Sequence, residues 1–162
     1  MTDPMSRVVA RFNHALQMVS DLIPFTDAAD LPEPVRIACL EDWFTNYRML
    51  VEFLVIGVPK NCASAQSLLP GWKPSTSQEL KRLRADYGFA SEHVSHIGWP
   101  KPTALEQNVA PAILQVKAAF LLDVVDEFVD ALKSVDHDFA DWVELAASRA
   151  RKTLIDPSYP SA

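Results

Sequence analysis

Glycine is scarce in this chain of 162 residues, four in all, and cysteine is scarcer still, at two. There is no Gly-x-Gly-x-x-Gly and no P-loop, so neither dinucleotide binding nor P-loop nucleotide hydrolysis has a local basis. Gly-x-Ser-x-Gly and Cys-x-x-Cys are missing too, which removes serine-hydrolase and thioredoxin chemistry. Cys39, in an expected helix, and Cys62, in an expected connection, match no metal spacing and read as reduced thiols. No alternating apolar and polar run marks a strand. The most apolar stretch, residues 49–58, contains Glu52 and is about half of the roughly 20 residues a membrane span needs. The first residues lead into an amphipathic pattern interrupted by Arg11, Asn13 and His14, unlike the apolar core of a signal peptide. Positive charge is in deficit: 15 Lys and Arg against 21 Asp and Glu give a net charge of −6. That balance argues against a broad surface for duplex DNA and leaves room only for a small basic site. The expected setting is the cytoplasm, with no membrane partner and no cofactor.

What the chain does have is apolar periodicity. Apolar residues make up 49% and charged residues 22%, the mix of an ordinary globular protein. A chain of this length buries about 70% of its unfolded surface and needs no metal or disulfide to fold. Twelve prolines gather mainly between periodic segments, so the expectation is one all-α domain over residues 1–162, an up-and-down bundle of five helices. The first spans about 6–22, with Val8, Val9, Phe12, Ala15, Leu16, Val19 and Leu22 on its inner stripe, and Pro24 stops it. The second spans about 34–56 and is apolar over most of its circumference, as a central helix should be; Gly57 and Pro59 end it. The connection 57–74 is long enough to be functional or to carry a helical turn of its own. A capping-box pattern at Ser75-Thr76-Ser77-Gln78 opens the third helix, about 76–97. The fourth covers about 104–134, with a second capping box at 103–106, or starts near Asn108 with Pro111 in its first turn; Ile113, Leu114, Val116 and Leu121 lie on its stripe. The fifth spans about 138–155 and carries Phe139, Trp142, Val143, Leu145, Ala146, Ala150 and Leu154. Trp72 and Trp99 are expected as lids over helix ends, and the acidic row Asp123, Asp126, Glu127, Asp130 as a solvated face.

Two polar groupings interrupt the apolar patterns. On the second helix Glu41, Thr45, Arg48 and Glu52 are spaced 4, 3 and 4 and share one narrow row. Near the end of the third, Leu80, Leu83, Tyr87, Ala90, Val94 and Ile97 form a stripe spaced 3, 4, 3, 4, 3, which His93 and His96 flank. In the simplest account Arg48 and Glu52 make a weak i,i+4 pair, His93 bonds to a neighbour such as Asp86, and His96 sits favourably at the helix C-terminus. In the functional account the two groups meet across a cleft. Imidazole titrates near neutral pH and guanidinium grips phosphate in a bidentate fashion, so Arg48, Glu52, His93 and His96 would then suit RNA cleavage. Histidines three apart on a helix, with Glu52 adding oxygen, would alternatively suit a metal ion, although no resident metal is expected.

Two of these segments carry a resemblance. Leu40-Glu41-Asp42-Trp43-Phe44-Thr45-Asn46-Tyr47-Arg48-Met49-Leu50-Val51-Glu52-Phe53 is similar to a pattern of glutamate, apolar residues, His-x-Arg, an apolar residue and Glu/Asp-Phe. His93-Val94-Ser95-His96-Ile97 is similar to a His-x-Ala-His-Leu segment. Together they resemble a family of uncharacterised bacterial helical proteins related loosely to the HEPN superfamily, over about residues 35–130. The resemblance implies an up-and-down bundle in which Arg48 and the two histidines approach one another. Asn46 stands where the pattern has histidine, and the arginine followed four to six residues later by histidine of HEPN ribonucleases is missing: Arg11 to His14 is too close and Arg84 to His93 too far.

Three functions follow as expectations. The first is a non-catalytic helical interaction module acting through protein contacts, with a homodimer as one form. The second is a HEPN-like RNA-binding or RNA-cleaving protein using Arg48 and His93/His96. The third is a metal-dependent helical-bundle enzyme.

Overall fold

The computed structural model describes residues 4–57, 63–93 and 109–156, and in those residues it is all-helical, without strands. The helices are α1 (Pro4–Asp21), α2 (Glu33–Val51), α3 (Ala65–Leu68), α4 (Ser77–His93), α5 (Pro111–Leu132) and α6 (His137–Ile155). A 3₁₀ turn, Ile23–Phe25, follows α1, and a π-turn, Glu52–Ile56, prolongs α2. The π-turn closes where the Gly57 N–H donates to the Glu52 carbonyl at 3.2 Å, with Gly57 at φ 82°, a backbone state that favours glycine. The expected second capping box at 103–106 lies outside the described residues, as do Trp99, Cys62 and Pro59. Where α5 is described, it starts at Pro111 in the N-terminal position that suits a residue without an N–H.

Local chemistry explains the boundaries. The box that opens α4 is Thr76 with Glu79, one residue later than the Ser75/Gln78 spacing suggests. The Thr76 N–H donates to Glu79 Oε2 at 2.8 Å and the Glu79 N–H to Thr76 Oγ1 at 3.1 Å. Glutamate wins over Gln78 because a carboxylate is the stronger acceptor at a helix N-terminus. The short α3 inside the 57–74 connection is held by Ser64 and Ser67, each side chain accepting from the other's backbone N–H. For α6 the cap is Asp136, accepting from the Phe139 N–H.

Cross-helix contacts fix the direction of each neighbour. Trp43 Nε1 donates to the Val19 carbonyl, and Phe12 meets Phe53, so α2 returns antiparallel to α1. Tyr47 meets Asp86 and Phe44 meets Phe89, which makes α4 antiparallel to α2. Arg82 covers Phe120 while Lys117 reaches Asp86, so α5 runs back along α4. Arg151 bonds Asp123 and Asp126, and Lys133 bonds Glu144, which sets α6 antiparallel to α5. Helix α6 then closes onto α1 as its most extensive neighbour. Helix α2, between α1 and α4, buries Leu40, Trp43, Phe44, Tyr47, Leu50 and Val51.

Packing decides three sequence expectations, and the acidic row of α5 stays largely solvated, with the Asp123 and Asp130 side chains 68% and 78% exposed. The row also anchors neighbours: Asp123 and Asp126 hold Arg151, and Glu127 accepts from both the N–H and the hydroxyl of Ser75. Trp72 is buried edge-on against Phe128, centroids 5.1 Å apart, so it packs one turn before the C-terminal end of α5. On α6, Trp142 is 61% and Leu145 47% exposed, because α1 and α5 cover only the opposite side of that helix. Among the described residues no helix is long and apolar enough to cross a membrane.

Candidate functional site

The polar row of α2 opens onto a groove of about 240 Å³ lined by Thr45, Arg48, Met49 and Glu52. Spacings of three and four residues put these side chains on one side of the helix, and the π-turn that begins at Glu52 ends the regular ladder there. The Thr45 hydroxyl donates to the Glu41 carbonyl at 2.9 Å. Met49 Sδ accepts from Arg11 Nε at 3.4 Å, which brings α1 to the rim. The Arg48 guanidinium carbon lies 5.8 Å from the centre of the Tyr87 ring, a cation–π placement, and among the described residues Arg48 and Glu52 close no ion pair with each other.

Arg48 and Glu52 therefore share the groove. His93 is positioned by α4. His93 is the last residue of α4, and α4 runs antiparallel to α2. From the level of Arg48 and Tyr87, α4 climbs about 9 Å to His93, while α2 descends about 6 Å to Glu52. The backbones of His93 and Glu52 are thus offset by roughly 15 Å along the bundle axis. His96 lies outside the described residues. Among the described residues, no group of three or more His, Cys, Asp and Glu side chains is placed to hold a metal ion.

Sequence reasoning missed a polar cluster among the described residues, which lies deeper between α2, α4 and α5. Asp86, buried at 6% exposure, accepts from the Tyr47 hydroxyl at 2.8 Å and pairs with Lys117. Lys117 also lies 4.6 Å from the centre of the Phe89 ring, and Tyr47 stacks on Trp43 at 4.8 Å. Both carboxylate oxygens of Asp86 are thereby engaged by partners on helices α2 and α5. The signal was in the sequence: Asp86 falls between Leu83 and Ala90 on the inner stripe of α4, and Lys117 between Leu114 and Leu121 on that of α5. A charge on a buried stripe requires a partner from another helix, and periodicity cannot say which.

Burial, then the neighbouring Asp86 carboxylate, hold the Tyr47 phenol well above its ordinary 10. The folded state therefore keeps this proton where the unfolded chain gives it up. Tyr47's contribution is complete below pH 10 and is lost as pH rises beyond it. In Tyr47→Phe the fall in urea midpoint between pH 9 and pH 11 should be smaller than in the parent; an equal fall would show that Tyr47 does not carry this dependence.

Comparison of the chain with protein-family models, with curated proteins and with solved structures returns no match. The functional reading rests on the geometry alone.

Proposed function

We propose that this protein is a non-catalytic helical interaction module that works through protein contacts. The observation that carries this reading is Trp142. It is the largest apolar side chain left open to solvent among the described residues, 61% exposed, with Leu145 one turn further along the same helix at 47%. Exposed aromatic residues beside aliphatic ones are the usual anchors of protein contacts. The interior polar chemistry supports the same reading. Tyr47, Asp86 and Lys117 satisfy one another between three helices, which suits holding those helices together.

The test is Trp142→Ser, an exposed substitution that leaves the core intact. Immobilised parent protein is expected to retain binding partners, or further copies of itself, that the variant releases. Association unaffected by the substitution would overturn the proposal, and so would its complete absence.

The HEPN-like RNA reading draws on a different feature, the open groove in which Arg48 lies against Tyr87, since a guanidinium over an aromatic ring can hold a base and its phosphate. Incubating total RNA with the parent protein and with variants at Arg48, His93 and His96 separates the two. Intact, unretained RNA in every case leaves the interaction module standing.

A further inference from the structure

The open side of α6 has an internal symmetry that identifies what it can bind. Leu145 is its midpoint. Trp142 and Ser148 lie three residues to either side, Asp141 and Arg149 four, and Asp138 and Lys152 seven. Offsets of three, four and seven are the spacings that return to one helical face, so all seven residues share one side of α6. That side is open: each of the seven is exposed. The opposite side of the helix, with Phe139, Val143, Ala146 and Ala150, is buried in the core. The charges are segregated, acidic before Leu145 and basic after it.

A helix face with this arrangement complements itself when a second copy is laid against it head to tail. We infer that the protein forms a two-fold symmetric dimer through α6, with the two helices antiparallel and Leu145 on the axis. This deepens the interaction-module reading, on which it rests, by naming the partner as a second copy of this chain. In that register Leu145 meets Leu145, and each Trp142 ring covers the small Ser148 of the other copy, whose short side chain leaves space for the indole. Each Asp141 faces an Arg149, and each Asp138 faces a Lys152. A two-fold axis requires the contacting patch to be its own complement, and this face meets that requirement in size, large against small, and in charge, acid against base. A parallel pairing fails the same requirement, because it would set Asp138 and Asp141 against their own copies. The contact between His137 Nδ1 and Asp141 Oδ1, at 3.1 Å, is largely solvent-exposed and leaves the Asp141 carboxylate accessible from outside.

The experiment measures solution mass against concentration for the full chain. The parent should rise from 18.0 kDa towards twice that value. Leu145→Asp, which sets two carboxylates face to face on the axis, should hold it at 18.0 kDa with an unchanged helical circular-dichroism spectrum. Asp141→Arg and Arg149→Asp should each weaken association about tenfold, since symmetry breaks two pairs at once, and the double swap should restore it. Leu145→Cys should oxidise to a covalent dimer, whereas Val135→Cys, also exposed but off this face, should not. A parent that dimerises but ignores Leu145→Asp and the charge swaps uses another face, which overturns this inference, and Trp142→Ser then decides the interaction module separately. A parent that stays at 18.0 kDa throughout overturns it as well. The module then stands or falls on the Trp142-dependent capture of a different protein.

Discussion

Replacing Lys117 by methionine is expected to lower stability by about 3 kcal/mol, read as a drop in urea midpoint with no change in slope. The side chains of Asp86 and Lys117 are 8% and 17% exposed, so the pair is mostly out of water, and Asp86 would be left with only the Tyr47 hydroxyl to answer it. Removing one partner of a buried pair costs far more than the pair contributes net, because the remaining ion has already lost its hydration. The shape of the lysine stem matters less, since methionine can still lie over Phe89. It follows that Asp86→Leu combined with Lys117→Met should cost much less than the two single changes added together. A loss below about 1 kcal/mol in Lys117→Met would mean that water reaches the pair and screens it.

The consequence should be local as well as global. Helix α4 has few fully buried apolar side chains, chiefly Leu83 and Ala90, and it meets α5 over a small area. Its hold on α5 depends on Lys117 with Asp86 and on Arg82 over Phe120, 3.8 Å from the ring centre. Loss of Lys117 should therefore speed amide exchange in α4 more than in α1 or α6.

Trp43→Ala is expected to cost about 3–5 kcal/mol, the range for deleting a fully buried aromatic side chain. Trp43 has no exposed surface, stacks on Tyr47 with ring planes 15° apart, and meets Phe44 edge-on at 5.2 Å. Its indole N–H donates to the Val19 carbonyl at 2.8 Å, in the last turn of α1, where carbonyls have no partner within the helix. Truncation thus opens a cavity, orphans a buried acceptor and leaves Tyr47 without its stacking partner. Against a total stability of about 5–15 kcal/mol, the variant should melt about 10 °C or more below the parent. Trp43→Phe keeps a ring and loses the donor, so it should fall between the two. If Trp43→Ala melted within about 2 °C of the parent, α2 would not be the organising element of this core.

How much was legible differs between fold and site. Helix-forming stretches could be read because apolar residues recur every three or four positions and prolines mark the breaks, and both are properties of neighbouring residues. Helix α2 could be recognised as deeply packed from its largely apolar circumference. The row of Arg48 and Glu52 could be read as one side of a helix, and the structure opens a groove along it. Whether the two polar groupings meet could not be read, because that depends on helix direction and axial level. The antiparallel packing of α4 on α2 sets His93 about 15 Å along the axis from Glu52. Trp142 and Leu145 looked like core residues because they are apolar and helical. They are exposed because α6 is covered on one side only.

By itself, the sequence determined that this chain is helical, where its main breaks fall, and that its net charge is −6. These are matters of composition and of spacing within a turn or two, which short-range sterics and hydrogen bonding translate directly into structure. It also contained the self-complementary order of charges on α6, although not the exposure that gives this order a meaning. The tertiary structure alone decided that Asp86 joins Tyr47 and Lys117, and that one apolar strip of α6 remains uncovered. Both depend on contacts between helices far apart in the chain, where the outcome is set by competition among whole helix faces for burial.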